Sequence, residues 1–268
     1  MHHRSRTTDH RIARIASRSH GVVTRAQLLD AGISAMAITV RLRRGTLLRQ
    51  HPGVYRVGHA APSVEATYLA AVLACGRDAL LSGAAAGHLL GLLGGPAPPP
   101  EVTAPAERRV AGVATRRSRG LAAADGMRWR GVPVTTVPRT LVDLAGALDA
   151  EALGRACHEA IVRFGLRPAH VDAALARRPN ARGAATLRRL LRGDEQIVLS
   201  RLERRFLEHL RTAGLPLPRT NRRVGRHYVD CRWEAHRVTV ELDSYRFHAS
   251  RRAWEQDRRR ERAARTRG

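Results

Sequence analysis

Three acidic side chains near the end of the chain are spaced as metal ligands can be: Asp230, Glu241 and Asp243. Residues 227–233 read as a strand, residues 234–237 as a short turn, and residues 238–243 as the returning strand. Side chains alternate along a strand, so Val238, Val240 and Leu242 share one face while Thr239, Glu241 and Asp243 share the other. With the turn centred between Ala235 and His236, the antiparallel register sets Asp230 opposite Glu241 on that second face. Like charges opposed across a ladder are destabilising, so the cluster calls for a compensating cation. Oxygen-only donors suit Mg2+, with Mn2+ as a substitute. Held against a nucleic-acid phosphate, such an ion would activate water and stabilise the charge developing in phosphodiester cleavage. The alternative is that these acids only form salt bridges with arginines, which this chain has in abundance.

A second group of residues has the chemistry to hold phosphate: Arg41, Arg43, Arg44 and Arg49. The elements that would position them are short. Ile12, Ile15 and Ala16 recur at helical spacing within residues 11–17. Thr24 precedes Ala26, Leu28 and Leu29 as an N-cap would, and Gly32 stands where that helix should stop. Ser34 opens a third helix with Ala37, Ile38, Val40 and Leu42 as its apolar positions, and Gly45 ends it. Residues 47–49 and 53–57 read as two strands around the turn His51-Pro52-Gly53. Three helices followed by a hairpin make a winged helix-turn-helix, whose third helix enters the major groove while the wing touches the backbone. The competing reading is a small helical domain with a solvated basic face.

Composition bounds both readings. The chain has 268 residues, 48 basic against 23 acidic, for a net charge of +25. It contains no lysine, so every basic residue is arginine, and chemistry that needs a titratable amine is excluded: no Walker-type phosphate lysine, no Schiff base. So large a positive charge favours a polyanionic partner. Aromatic residues make up only 4% of the chain, too few for a stacking platform, which disfavours RNA against DNA. Cys75, Cys157 and Cys231 are scattered, odd in number and without metal spacing, which points to a reducing cytoplasm. Residues 79–100 lack Asp, Glu and Arg over a length that could span a bilayer, but their glycines, His88 and prolines read instead as a buried helix and a linker, with no membrane role.

The expected fold class is α+β and multidomain: residues 1–60 the winged helix-turn-helix, 61–194 a mixed helical and strand domain, and 195–268 an α/β domain. In the middle third, helices are expected at 63–75, 82–93, 139–147, 150–164, 168–176 and 181–191, with strands at 101–104, 110–116 and 127–137. Arg139 and Asp143 lie four apart, a spacing that reads as a structural ion pair. A helix carrying Leu202, Phe206, Leu207 and Leu210 on one face leads into the last domain.

Two stretches resemble known families. The run GVVTRAQLLDAGISAMAITVRLRRGTLLRQHPGVYRVG, residues 21–58, resembles the N-terminal winged-helix domain of AbiEi-type antitoxins of type IV toxin-antitoxin systems. That resemblance implies DNA binding, in that family often autoregulatory; a cognate toxin is a candidate partner that the match does not by itself imply. The segment GVPVTTVPRTLVDLA, residues 131–145, resembles the region that commonly follows such a domain. Residues 228–268 resemble a C-terminal domain related to very-short-patch-repair endonucleases, within the restriction-endonuclease-like PD-(D/E)xK superfamily. Its pattern falls on Asp230, on Glu241 and Asp243, on Phe247 with His248, and on Asp257, Arg258 and Arg260, with Glu203 at the acidic position of the leading helix.

This second resemblance implies Asp230, Glu241 and Asp243 as metal ligands and His248 as a proton-transfer or phosphate-contacting group. Asp243 stands where the superfamily carries lysine, a change usual among the closer relatives, and Ser244 stands where a turn glycine is expected. The relatives continue past the position of Arg260 to a further strand and helix, so the restriction-endonuclease-like domain is expected to lack its last strand and helix. Residues 250–268, with eight arginines, read as a phosphate-contacting helix or a charged end. Together these features describe a DNA-binding protein with an endonuclease-like domain that uses Mg2+. The alternative is a non-enzymatic antitoxin-like regulator whose last domain only binds or packs.

Overall fold

The computed structural model describes residues 2–58, 63–191, 205–224 and 227–240. Apolar residues at helical spacing start the first unit: α1 (His2–Ala16) turns Ile12 and Ala16 inward. β1 (Val22–Thr24), α2 (Arg25–Asp30), α3 (Ala35–Arg43), β2 (Leu47–His51) and β3 (Val54–Val57) follow. The three strands form an antiparallel sheet in the order β1-β3-β2. Helix, strand, helix, helix, strand, strand is the element order of a winged helix-turn-helix. β1 was not expected from sequence, because two valines and a threonine are too short to show alternation. Leu28, Ile33, Ile38, Leu47 and Tyr55 join α1 in the core of this unit. Burying such side chains contributes about 1.5–3 kcal/mol each.

The middle of the chain builds a five-stranded mixed sheet with helices packed on it. α4 (Val64–Cys75), β4 (Leu80–Leu81), α5 (Gly83–Leu89), β5 (Glu101–Ala104), β6 (Ala114–Arg117), β7 (Gly126–Trp129) and β8 (Val132–Thr135) give the strand order β6-β5-β4-β8-β7. α4 packs on β4, β5 and β8, which its unbroken run of buried side chains from Tyr68 to Val72 allows. α6 (Val137–Ala145) packs against α5, α7 (Ala150–Phe164), α8 (Pro168–Ala176) and α9 (Ala184–Leu191). Surrounded in this way, α6 is buried on nearly every side, Arg139 included.

Several expected boundaries shift for local reasons. A single strand was expected over residues 127–137, but the chain reverses at Arg130 and Gly131, whose φ values of 46° and 76° are those a tight two-residue hairpin turn requires. The expected helix at 181–191 begins only at Ala184, because Gly183, at φ 77°, lies against the Ala145 backbone where a Cβ would collide with the carbonyl. The uncharged stretch that begins at Ala79 contributes α5 to the core and no helix beyond Leu89. Among the described residues no helix is long and apolar enough to cross a membrane.

Val22 and Val54 of the first unit belong to the same apolar cluster as α4, so the two parts share a core. At their junction the His20 Nε2–H donates to the Arg130 carbonyl (2.6 Å), and Arg130 pairs with Glu65 (3.2 Å). The last described part is a helical stretch at residues 205–212 and an antiparallel sheet in the order β11-β10-β9. These strands are β9 (Arg219–Val224), β10 (His227–Trp233) and β11 (Val238–Val240). Trp233 packs edge-on to Phe206 with ring centroids 6.3 Å apart, and its indole N–H donates to the Pro216 carbonyl (2.6 Å).

Candidate nucleic-acid interface

The helix-turn-helix is set by reciprocal capping. Thr24 Oγ1 accepts from the Gln27 backbone N–H (3.1 Å) while Gln27 Oε1 accepts from the Thr24 N–H (2.8 Å), which starts α2. Arg11 donates to the Ala31 carbonyl (3.1 Å), tying α1 to the turn that follows α2. Ser34 Oγ then accepts from the Ala37 N–H (3.2 Å) and starts α3. The tip of the β2–β3 hairpin is held as well, since the Arg25 N–H donates to the Gly53 carbonyl (2.8 Å). Turn, α3 and hairpin are thereby fixed to one another before any partner arrives.

α3 divides its side chains cleanly. Ile38 is buried against the core, whereas Ala35, Met36, Thr39 and Arg43 are exposed, Met36 at 72%. Arg44, at the C-cap, and Arg49, on β2, are exposed too. Among the described residues no carboxylate pairs with Arg43, Arg44 or Arg49. From Ala31 to Val57 the sequence contains no Asp or Glu. Burial holds the His51 pKa below its ordinary value, which favours the uncharged form of that side chain.

Arg41 departs from the expectation that placed it with the phosphate-contacting arginines. It sits one turn from Ile38 and so points to the core side of α3, with its side chain only 10% exposed. Its Nε donates to Asp9 Oδ1 (2.7 Å) and its Nη1 to the Ala37 carbonyl (3.1 Å). Arg41 therefore fastens α3 to α1. Conversely, Met36 and Thr39 are surface positions of α3 that the sequence reading passed over. Their signal was present: with Ile38 and Leu42 inward, Thr39 and Met36, about 100° and 200° round the helix from Ile38, face out.

A second charged cluster lies inside the middle body. Arg139 Nη1 donates to Asp125 Oδ2 (3.2 Å), and its Nε donates to Asp143 (3.3 Å), the pair expected from their four-residue spacing. Arg177 reaches Asp125 (2.8 Å) and Arg178 reaches Asp143 (2.9 Å) from just past the C-terminal end of α8. Arg116 lies 4.0 Å from Asp143 and 3.0 Å from Glu101. Burial, together with the neighbouring Arg139 charge, lowers the Arg178 pKa. Asp125, Asp143 and Arg139 are sealed from solvent, so this network joins β6, the turn before β7, α6 and the end of α8, and keeps its two aspartates from a substrate.

The carboxylate expectation meets the structure only at its base. The β10–β11 pairs are Cys231↔Val240, Arg232↔Thr239 and Trp233↔Val238, with the turn at residues 234–237. Asp230 lies on β10, while Glu241, Asp243 and His248 lie outside the described residues, as do Glu203 and residues 250–268. Among the described residues no group of three or more His, Cys, Asp or Glu side chains could hold a metal ion.

Comparison with known proteins bears on the first unit. Residues 10–58 match the family described as "Transcriptional regulator, AbiEi antitoxin". The matched segment begins in α1 and ends just past β3, so it contains the capped helix-turn-helix, the exposed arginines and the hairpin. It supports a DNA-binding regulatory role for this part of the chain. No curated protein matches the chain.

Proposed function

We propose that the chain is a DNA-binding transcriptional regulator that lays α3 in the major groove and fastens it through Arg43, Arg44 and Arg49 to phosphates. The observation that carries this reading is the face formed by α3 and β2: exposed arginines, no acid from Ala31 to Val57, and no carboxylate partner among the described residues. The matched family supports it, and the word "antitoxin" in its description extends the proposal to a toxin as protein partner, in the cytoplasm where both would act. The full chain should bind duplex DNA with an affinity that falls steeply with salt. Replacing Arg43, Arg44 and Arg49 together by alanine should lower the slope of log affinity against log salt by about 2.7, one phosphate for each arginine. An unchanged slope, or binding indifferent to salt, sinks the assignment.

A second reading has one observation in its favour. The described β10–β11 register is the one that the clustering of Asp230, Glu241 and Asp243 demands. These three side chains offer oxygen donors only, a set that fits Mg2+ or Mn2+. Such an ion, when bound, supplies a more acidic water and a counter-charge for phosphodiester hydrolysis. In this reading Asp230, Glu241 and Asp243 hold the ion, and His248 moves a proton or contacts the phosphate. Nicking of supercoiled DNA with Mg2+ or Mn2+ should be lost in Asp230→Ala/Glu241→Ala while salt-sensitive binding persists. Nicking that survives in that variant, or intact protein that never nicks, leaves the regulator without an enzyme.

A further inference from the structure

On the premise that α3 enters the major groove, we infer that its leading face reads the C5-methyl group of pyrimidines, not a pattern of hydrogen-bond donors and acceptors. A helix turns by about 100° per residue, so Ala35, Thr39, Arg43 and Met36 fall in one arc of about 100°. All four are exposed, while Ile38 and Arg41 lie on the opposite side. Arg43 ends the helix. The first turns of the arc, which in this class of motif approach the base edges, therefore present only Ala35, Met36 and Thr39. None of these is an amide, a carboxylate or a guanidinium. The one hydroxyl among them is used within the helix: Thr39 Oγ1 donates to the Ala35 carbonyl (3.0 Å), which leaves its methyl as the group free to make an outward contact.

Met36 is the telling member of the set. At 72% exposure it is the most exposed of the large apolar side chains on the described surface, and nothing in the core of its own unit covers it. Its occupant is fixed by what flanks it, since Arg43, Arg44 and Arg49 carry positive charge without a partner among the described residues, as a polyanion requires. The hydrocarbon that duplex DNA offers in its major groove is the thymine C5-methyl, and a cytosine methylated at C5 offers the same group. Met36 and Thr39 are separated by about 4.5 Å along the helix axis, so they reach neighbouring base pairs and not the same one.

The test uses the full chain and duplexes selected by it from a random pool. Substituting deoxyuridine for thymine removes the methyl and leaves every hydrogen-bonding group in place. At one or two positions of the selected site this should weaken binding about fourfold per methyl, the loss expected for one buried methyl-sized group. Substituting 5-methylcytosine for cytosine separates the two sources: a gain of similar size assigns the face to methylated cytosine, and no gain assigns it to thymine. Met36→Ala and Thr39→Ser, the latter keeping the hydroxyl bond to Ala35, should each abolish the deoxyuridine penalty at one position. Deoxyuridine tolerated within about twofold at every position with no gain from 5-methylcytosine, or penalties unchanged in both variants, overturns the inference and leaves the DNA-binding reading standing. Failure to bind any duplex overturns that reading itself.

Discussion

Arg43, Arg44 and Arg49 stand exposed with no carboxylate partner among the described residues, whereas Arg139, Arg177 and Arg178 of the middle body converge on two aspartates sealed from solvent. Both groups count equally toward the net charge of +25. Only one of them is available to a polyanion. Around Asp125 and Asp143, the charge of Arg139, Arg177 and Arg178 is met at distances between 2.8 and 3.3 Å, so it orders the body and contributes little to the outside field. Around Arg43, Arg44 and Arg49 no carboxylate among the described residues meets the charge, and it remains as a field that can steer a polyanion. Net charge thus overstates the nucleic-acid surface of a lysine-free chain until each arginine is assigned a partner or none.

The comparison breaks most visibly at Arg139. Arg139→Ala removes the guanidinium shared by two buried carboxylates, and Arg177 and Arg178 can each meet only one of them from the edge. Leaving charge buried and partly unpaired costs about 3–5 kcal/mol. Thermal or denaturant unfolding should show a loss of that size, with DNA affinity at low temperature and its salt slope unchanged in whatever protein stays folded. A change in salt slope would place Arg139 with the DNA-contacting arginines and erase the distinction. The triple replacement of Arg43, Arg44 and Arg49 is its mirror, altering the slope and leaving stability within about 0.5 kcal/mol of the parent, as exposed substitutions do.

What sequence could and could not resolve follows the same line. The limits of β5, α7 and α8 coincide with their expected ranges, because each has the apolar period and end signals of its type within a few residues. The Arg139–Asp143 pair was legible for the same reason, as both partners lie on one helix face. Asp125, Arg177 and Arg178 were not, since they meet only after β7, α6 and α8 have packed, and no local spacing encodes that meeting. β4 and β1 are two and three residues long, too short for a period of two to show. β9 reads RTNRRV, a run without apolar alternation, and only its pairing with β10 makes it a strand. The turn that starts β11 was legible from composition, whereas Glu241 and Asp243, expected beyond it, lie outside the described residues.

Arg41 sharpens the contrast on the smallest scale, because it belongs by sequence to the exposed arginines and by structure to the buried ones. It lies two residues from Arg43 on the same helix, yet that offset of about 200° carries it to the core side. There it holds Asp9 of α1 and the Ala37 carbonyl, with a side chain 10% exposed against 58% for Asp9. The half-exposed aspartate regains water when its partner is lost, so the cost is that of a charged hydrogen bond and some packing, about 1–2 kcal/mol, well below the cost at Arg139. Arg41→Ala should therefore lower the unfolding midpoint measurably and leave the salt slope of DNA binding as it was. Arg43→Ala in the same assay should do the reverse. If Arg41→Ala instead lowers the slope by about 0.9, its guanidinium leaves Asp9 to take a phosphate, and pairing within the fold no longer predicts which arginines reach the DNA.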